Sequence, residues 1–277
     1  MKKRSTVMDI NVEEETSLTH FLAEASRIDL DHTNRFHLVS AGIGDSSNLT
    51  LRAYQVIKGA DIVLGMDFVF KKLAPLLRGK EWHHAGHGLF TKLALKSGEV
   101  EEVRKEEEKM RHFIRENYQK GKRIVVLDFG DPAFYSPQAG YLKEFADLNP
   151  VVVPGISSVN AAGGLLSAYL GRSILDGRSS GSLMMTTLWG LEELEMKTPP
   201  AIIVLFAMGM HWDTLQYELR RFYPDDTPIV LATETGYLAK ENLLWTTVGE
   251  VVNKMTDYEL TWDYLIYSGP GLKKTNP

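Results

Sequence analysis

The feature that most constrains the fold of this chain is a glycine turn set directly behind a short apolar run, three times over. Gly42-Ile43-Gly44-Asp45 follows Phe36-His37-Leu38-Val39-Ser40-Ala41. Gly130-Asp131-Pro132 follows Ile124-Val125-Val126-Leu127-Asp128-Phe129, and Pro154-Gly155-Ile156-Ser157-Ser158 follows Val151-Val152-Val153. Runs this short, rich in valine and isoleucine and closed by glycine or proline, read as buried strands. Glycine lets main chain approach a ligand closely and adopt φ values that side chains forbid. Open α/β sheets bind ligands where the carboxyl ends of strands meet. The pattern therefore predicts a small-molecule cleft assembled from strand ends.

Helical segments between these strands complete an α/β alternation. Residues 51–60 place Ala53, Val56, Ile57 and Ala60 on one face. Residues 98–120 are the longest helical candidate, with Val100, Val103, Met110, Phe113, Ile114 and Tyr118 as an apolar stripe and Gly121 as the stop. Glu101 with Lys105, and Glu107 with Arg111, stand four apart in the order that supports a helix. Further helices are expected at 138–147 and 158–170, and a further strand at 61–65. Such alternation implies right-handed crossovers and a largely parallel sheet. Residues 171–182 read as a loop. Strands beyond it, at 201–207, 228–233, 243–248 and 263–268, lie closer together, with helices near 211–223 and 249–256, so a mixed sheet is expected there.

The predicted organisation is an N-terminal extension over 1–35, an α/β domain over 36–152 and a second α/β domain over 153–277. The extension carries an amphipathic pattern around Leu18, Phe21, Leu22 and Ala25. With 277 residues, 44% of them hydrophobic and 24% charged, the chain has the make-up of an ordinary globular protein with ample core. A formal net charge of −5 disfavours a general nucleic-acid-binding surface. Cysteine is absent, which excludes disulfides, thiolate metal sites and cysteine nucleophiles and suits a reducing compartment. No apolar run approaches the ~20 residues of a membrane helix. Lys2, Lys3 and Arg4 are followed by Glu13, Glu14 and Glu15 rather than by the apolar core of a signal peptide, and a cytoplasmic location is expected.

The first turn invites a dinucleotide-binding reading, but Gly-x-Gly-x-x-Gly fails at Ser47, and Asp61 opens the second strand instead of closing it. The turns instead resemble the tetrapyrrole methylase family. The resemblance runs through Leu38-Val39-Ser40-Ala41-Gly42-Ile43-Gly44-Asp45, Leu49-Thr50-Leu51-Arg52-Ala53, Ala60-Asp61-Ile62-Val63-Leu64 and Gly130-Asp131-Pro132-Ala133-Phe134-Tyr135. It continues through Pro154-Gly155-Ile156-Ser157-Ser158-Val159, Ala207-Met208-Gly209 and Thr227-Pro228-Ile229-Val230. Order and spacing agree across residues 36–270. Ile43 departs from the proline common in the first motif, a change that a main-chain contact survives.

The resemblance implies a fold of two α/β domains with S-adenosylmethionine folded into the cleft between them, methyl transfer to a ring carbon of a tetrapyrrole, and a homodimer. It looks closest to the precorrin methylases of cobalamin synthesis. Carried over position by position, it implies donor contacts from Ile43, Gly44, Asp45, Phe129, Gly130, Asp131, Phe134, Ser157, Ser158, Met208 and Thr235. The physical reading of the motifs is compatible, because methyl transfer asks a protein for alignment and desolvation more than for a catalytic triad. Asp131 can accept hydrogen bonds from ribose hydroxyls or an amino group. Ser157 and Ser158 either hold a carboxylate or cap a helix. Met208 packs on adenine or belongs to the core.

Tyr135 and Asp131 are the candidates for a catalytic role, and Tyr135 is equally readable as core or as an acceptor contact. His83, His84 and His87 form a cluster read as a surface loop or a substrate-facing loop; no metal site is expected there, since no acidic or thiol ligand is found beside them. With Arg104, they are candidates for binding an acceptor rich in carboxylates, and Arg111 and Arg115 are further basic candidates. A fold does not fix the acceptor. Protein, peptide and RNA acceptors, and a non-catalytic tetrapyrrole-binding role, stand as alternatives.

Overall fold

The computed structural model describes residues 34–92, 100–171, 181–206 and 211–273. These residues belong to one compact unit, Asn34–Pro277, and the expected extension before it lies outside the described residues up to Thr33.

The first half builds β1 (Phe36–Ser40), α1 (Leu51–Lys58), β2 (Ile62–Gly65), α2 (Asp67–Leu77), β3 (Glu81–His84), α3 (Val100–Gln119), β4 (Ile124–Asp128), α4 (Gly140–Glu144) and β5 (Val151–Val153). The five strands form one parallel sheet in the order β3-β2-β4-β1-β5. Ser40 lies opposite Asp128, and Val39 opposite Val153, so β1, β4 and β5 end at one edge. This is the parallel sheet that the alternation predicts.

Side chains alternate across each strand. Phe36, Leu38, Ile62, Leu64, Ile124 and Val126 form one fully buried face with Val103, Met110 and Ile114 of α3 and with Tyr141 and Phe145. The opposite face meets α1 on β1 and α2 on β2. Thr50 starts α1 by accepting the Ala53 amide at 3.2 Å, an N-cap contribution of about 1 kcal/mol. Val100, placed in the core stripe from sequence, is instead 49% exposed, because it opens α3 before the helix reaches the sheet. Glu101 and Lys105 do pair, at 3.9 Å, on the exposed face. Arg111 pairs with Glu144, and Glu107 accepts the Phe90 amide at 2.8 Å.

The second half contains α5 (Ser158–Leu166), β6 (Leu183–Thr187), α6 (Leu188–Glu192), β7 (Ile202–Phe206), α7 (Trp212–Arg220), β8 (Pro228–Thr233), β9 (Asn242–Thr247), α8 (Val251–Met255) and β10 (Tyr264–Ser268). Its strands run β6-β7-β10-β8-β9, with only β6–β7 parallel, which gives the mixed sheet expected. Ala162 and Leu166 of α5 pack on Val204, Val230, Leu265 and Tyr267. The other face is covered by α6, α7 and α8 through Leu191, Leu215, Leu219, Val251 and Met255. The helix that leaves the first sheet after β5 thus lies on the second.

Candidate functional site

Ser40 is the node at which the glycine turns meet. Its hydroxyl donates to the Gly130 carbonyl and accepts the Gly42 amide at 3.0 Å. Gly155 fits against it so tightly that a Cβ there would sit 1.9 Å from the Ser40 Oγ. The turns are also joined directly. The Gly130 amide donates to the Gly42 carbonyl at 3.3 Å, and the Ile43 amide to the Ile156 carbonyl at 3.2 Å. The carboxyl ends of β1, β4 and β5 therefore form one continuous main-chain surface, as the sequence pattern predicts.

Gly130 holds φ at +87°, a value that disfavours any side chain, and a Cβ there would face open space with the Ser158 amide nitrogen 4.0 Å away. Ser157 is the N-cap of α5: its Oγ accepts the Asn160 amide at 3.2 Å and donates to Asn160 Oδ1 at 2.7 Å. Of the two sequence readings of Ser157, the cap is present. Among the described residues no protein acceptor reaches the Ser158 amide, as is usual for the first turn of a helix. Asp131 folds back to accept the Ala133 amide at 3.0 Å through Oδ1. Phe134 is exposed, and Tyr135, in the left-handed region at φ 52°, stacks on Phe206 and donates to the Met185 carbonyl at 2.9 Å. Tyr135 thereby braces the second turn against β6 and β7.

A turn of the second half completes the site. Asp45 donates its amide to the Gly236 carbonyl at 2.9 Å and accepts the Leu238 amide at 3.0 Å through its carboxylate. Asn48 donates to the carbonyls of Ile43 and Gly236 at 2.8 and 3.0 Å. Gly44 rests against the main chain of Gly236, and Thr235 is buried beside them. Phe129 packs edge-on against Phe68 and Trp262 with ring centroids 5.1 and 5.5 Å away, and Trp262 keeps 51% of its surface exposed. Met208 lies outside the described residues.

Three ionisable groups here are displaced from their ordinary behaviour. Burial pushes the Asp128 carboxyl up to about 6, with the Asp131 charge adding to it and the Ser136 hydroxyl and Phe129 amide opposing. Burial, then the Glu234 charge, pushes Asp263 up to about 6 against the pull of Lys72. Burial draws Lys72 down to about 8, although Asp45 and Asp263 both favour its charged form.

The histidine cluster is not the loop expected. His83 and His84 close the edge strand β3, paired in parallel with Leu64 and Gly65. Glu81 is the acidic neighbour that the sequence reading overlooks, and it pairs with His83 at 2.9 Å. His83 also packs on Phe113, and His84 Nδ1 accepts the Gly86 amide at 3.0 Å. His87 follows at the carboxyl end of β3, where burial, aided by the charge of His84, holds its pKa below the usual 6.5. Among the described residues no group of three or more ligating side chains comes together as a metal site. Arg104 stands on the exposed face of α3, and Arg115 is engaged with Asp147. The structure does not bring either to the turns.

Sequence reasoning missed Ser40, Asn48, Phe68, Lys72, Trp262 and Asp263. Two polar residues did offer a signal: Ser40 and Asp128 each interrupt an apolar strand within two residues of a glycine.

This architecture is shared with solved methyltransferases. A cobalt precorrin-4 methyltransferase superposes with a TM-score of 0.63 at 22% identity, covering 86% of this chain and 95% of that one. The uroporphyrin-III-C-methyltransferase of Thermus thermophilus gives 0.63 at 21% identity over 86% and 93%, and a structure of this Thermus enzyme complexed with S-adenosyl homocysteine gives 0.60 at 22% over 85% and 97%. Among curated proteins, the siroheme synthase of Escherichia fergusonii is 27% identical over 83% of this chain and 50% of its own, and that of Salmonella typhi 29% identical over 82% and 49%. The chain spans about half the length of these relatives. The profile of the Tetrapyrrole (Corrin/Porphyrin) Methylases matches residues 35–252. The chain belongs to the tetrapyrrole methylase family.

Proposed function

We propose that this protein transfers a methyl group from S-adenosylmethionine to a ring carbon of a tetrapyrrole of the uroporphyrinogen or precorrin type. The observation that carries the reading is the convergence of three glycine turns on one surface, with Gly130 opening onto free space beside the Ser158 amide. S-adenosylmethionine supplies, when bound, an electrophilic methyl on a sulfonium whose neutral thioether is the leaving group. The donor set suits such a molecule. Asp131 offers carboxylate acceptors for hydroxyl or amino groups. The Ser158 amide, at the positive end of α5, suits a carboxylate. Gly44, Asp45 and Thr235 close the pocket from the side of the second sheet, with Phe129 and Ile43 as apolar walls.

The chain's task is then to hold donor and acceptor in line and to keep water from the methyl. In this reading the acceptor lies toward the carboxyl end of β3, the end at which His84 and His87 stand. Burial, then the His84 charge, disfavours the charged form of His87, which suits hydrogen bonding there more than charge. His83 and Arg104, engaged or exposed elsewhere, carry less of this role. The reading includes a two-domain division near residue 153, supported by α5 leaving the first sheet to lie on the second. It also includes a homodimer in the cytoplasm; no described helix is long and apolar enough to cross a membrane.

The test is calorimetric titration of the protein and of Gly130→Val with S-adenosylhomocysteine, followed by transfer of labelled methyl from S-adenosylmethionine to uroporphyrinogen and precorrin acceptors. Binding by the parent, lost in a folded Gly130→Val variant, is expected. Absence of binding by the parent, or undiminished binding by the variant, refutes the pocket. Transfer to peptides but not to tetrapyrroles refutes the acceptor.

A further inference from the structure

Among the described residues, the ammonium of Lys72, on the second turn of α2, is a charge in an unusual setting. It donates to the carbonyls of Ala41 and Gly42, at 2.9 and 3.0 Å, at the point where β1 enters the first glycine turn. It also stands 5.5 Å from the centroid of the Phe129 ring, the residue before Gly130. Two carboxylates act on it from separate segments: Asp45, in the first turn, and Asp263, before β10. Asp45 is itself bonded to Gly236 and Leu238, and the Asp263 carbonyl accepts the Glu234 amide at 2.8 Å. Glu234 acts in turn on Asp263 and pairs with Lys240 at 3.8 Å, and Tyr237 feels Asp263, Asp45 and Glu234. One cation is thus bound to the first turn, set beside the second, and held electrostatically by Asp45 of the first turn and by Asp263 before β10. Simple packing at this position would be better served by an unbranched apolar side chain, since burying an ammonium is costly.

We propose that Lys72 is a positioning residue of the donor site, clamping the first glycine turn by two main-chain carbonyls and tying it to the acidic turns beside β8 and β10. The ammonium touches neither donor nor acceptor in this role. It fixes where Ile43, Gly44 and Asp45 stand, and thereby the shape of the surface against which the donor lies. The inference rests on the donor-site reading given above, so its test includes a measurement made without any ligand.

Hydrogen exchange of the segment 41–46 is compared in the ligand-free parent, Lys72→Met and Lys72→Arg, and S-adenosylhomocysteine affinity is then measured for each between about pH 7 and pH 9. Exchange about tenfold faster in Lys72→Met, restored by Lys72→Arg, is expected, as is an affinity about tenfold weaker in Lys72→Met. The parent's affinity should also weaken as pH rises through about 8, where Lys72 loses its charge, and Lys72→Met should lack that step. Equal exchange in the parent and Lys72→Met overturns the clamp. A parent that binds no S-adenosylhomocysteine, while exchange behaves as expected, overturns the donor role alone. Should Lys72→Met fail to fold, the parent decides: an affinity flat across the range overturns the proposal.

Discussion

Replacing Asp128 by asparagine is expected to stabilise the protein near neutrality, and to do so progressively less as the solution is acidified. Asp128 ends β4 at 3% exposure, with the Phe129 amide donating to Oδ1 at 3.0 Å and Oδ2 without a hydrogen-bond partner among the described residues. Its pKa, 3.8 when freely solvated, is pushed to about 6 mainly by burial. Well above about 6 both folded and unfolded chains are ionised, and the folded state bears the full cost of a desolvated carboxylate. Between 3.8 and about 6 the folded state keeps a proton that the unfolded state has lost, so this group's contribution to stability rises as pH falls through that window. Below it the penalty is gone. The displacement corresponds to about 3 kcal/mol. Asparagine preserves the Oδ1 acceptor and never ionises. The stability difference between Asp128→Asn and parent should therefore grow by about 2.5 kcal/mol between about pH 4 and pH 8. Urea denaturation at those two pH values measures it. Asp263 titrates in the same window, but it is present in both proteins and cancels in the difference. A difference that does not change with pH refutes the reasoning, and destabilisation by asparagine at pH 8 would mean that the Ser136 hydroxyl and the Phe129 amide hold the ionised carboxylate more strongly than burial penalises it.

The turn junction and the tyrosine brace give two further tests. Gly155→Ala should cost about 1–3 kcal/mol, because its Cβ displaces the Ser40 hydroxyl; urea denaturation should show the loss, and adding Ser40→Gly should recover part of it. An alanine tolerated without loss contradicts the packing. Tyr135→Phe should lower stability by up to about 1 kcal/mol, through the hydrogen bond to Met185, and leave turnover intact; lost turnover with unchanged melting would instead assign the hydroxyl to the chemistry.

What the sequence made legible follows from how locally each feature is encoded. The strands at 36–40, 124–128 and 151–153 are apolar runs closed by glycine or proline, and both signals are contained in a few residues. Ser157 announces the helix it caps for the same reason. The edge strand β3 was hidden because Glu81-Trp82-His83-His84, exposed along most of its length, carries neither an apolar run nor an alternation. α2 was hidden by Pro75, which stands in its last turns and reads as a breaker because it lacks the amide of an i→i−4 bond. β6, Leu-Met-Met-Thr-Thr, follows a glycine- and serine-rich segment and has only partial burial to mark it.

The site divides along the same line, and the division has a physical cause. Glycines could be read because a position that requires φ near +87°, as Gly130 does, or a neighbour at contact distance, as Gly155 does, admits almost no other residue. Lys72 and Asp263 could not be read, because the electrostatic pull between them joins positions 191 residues apart and nothing in either local sequence refers to the other. Such a pair is decided by how the two sheets come together, not by the propensity of either segment. On the proposed reading, the motif residues specify a donor pocket in general, whereas the groups that set the electrostatics around it in this chain, Lys72, Asp128 and Asp263, lie between the motifs. Substitutions at these three positions should therefore move the pH dependence of binding and stability while the glycine turns keep their place.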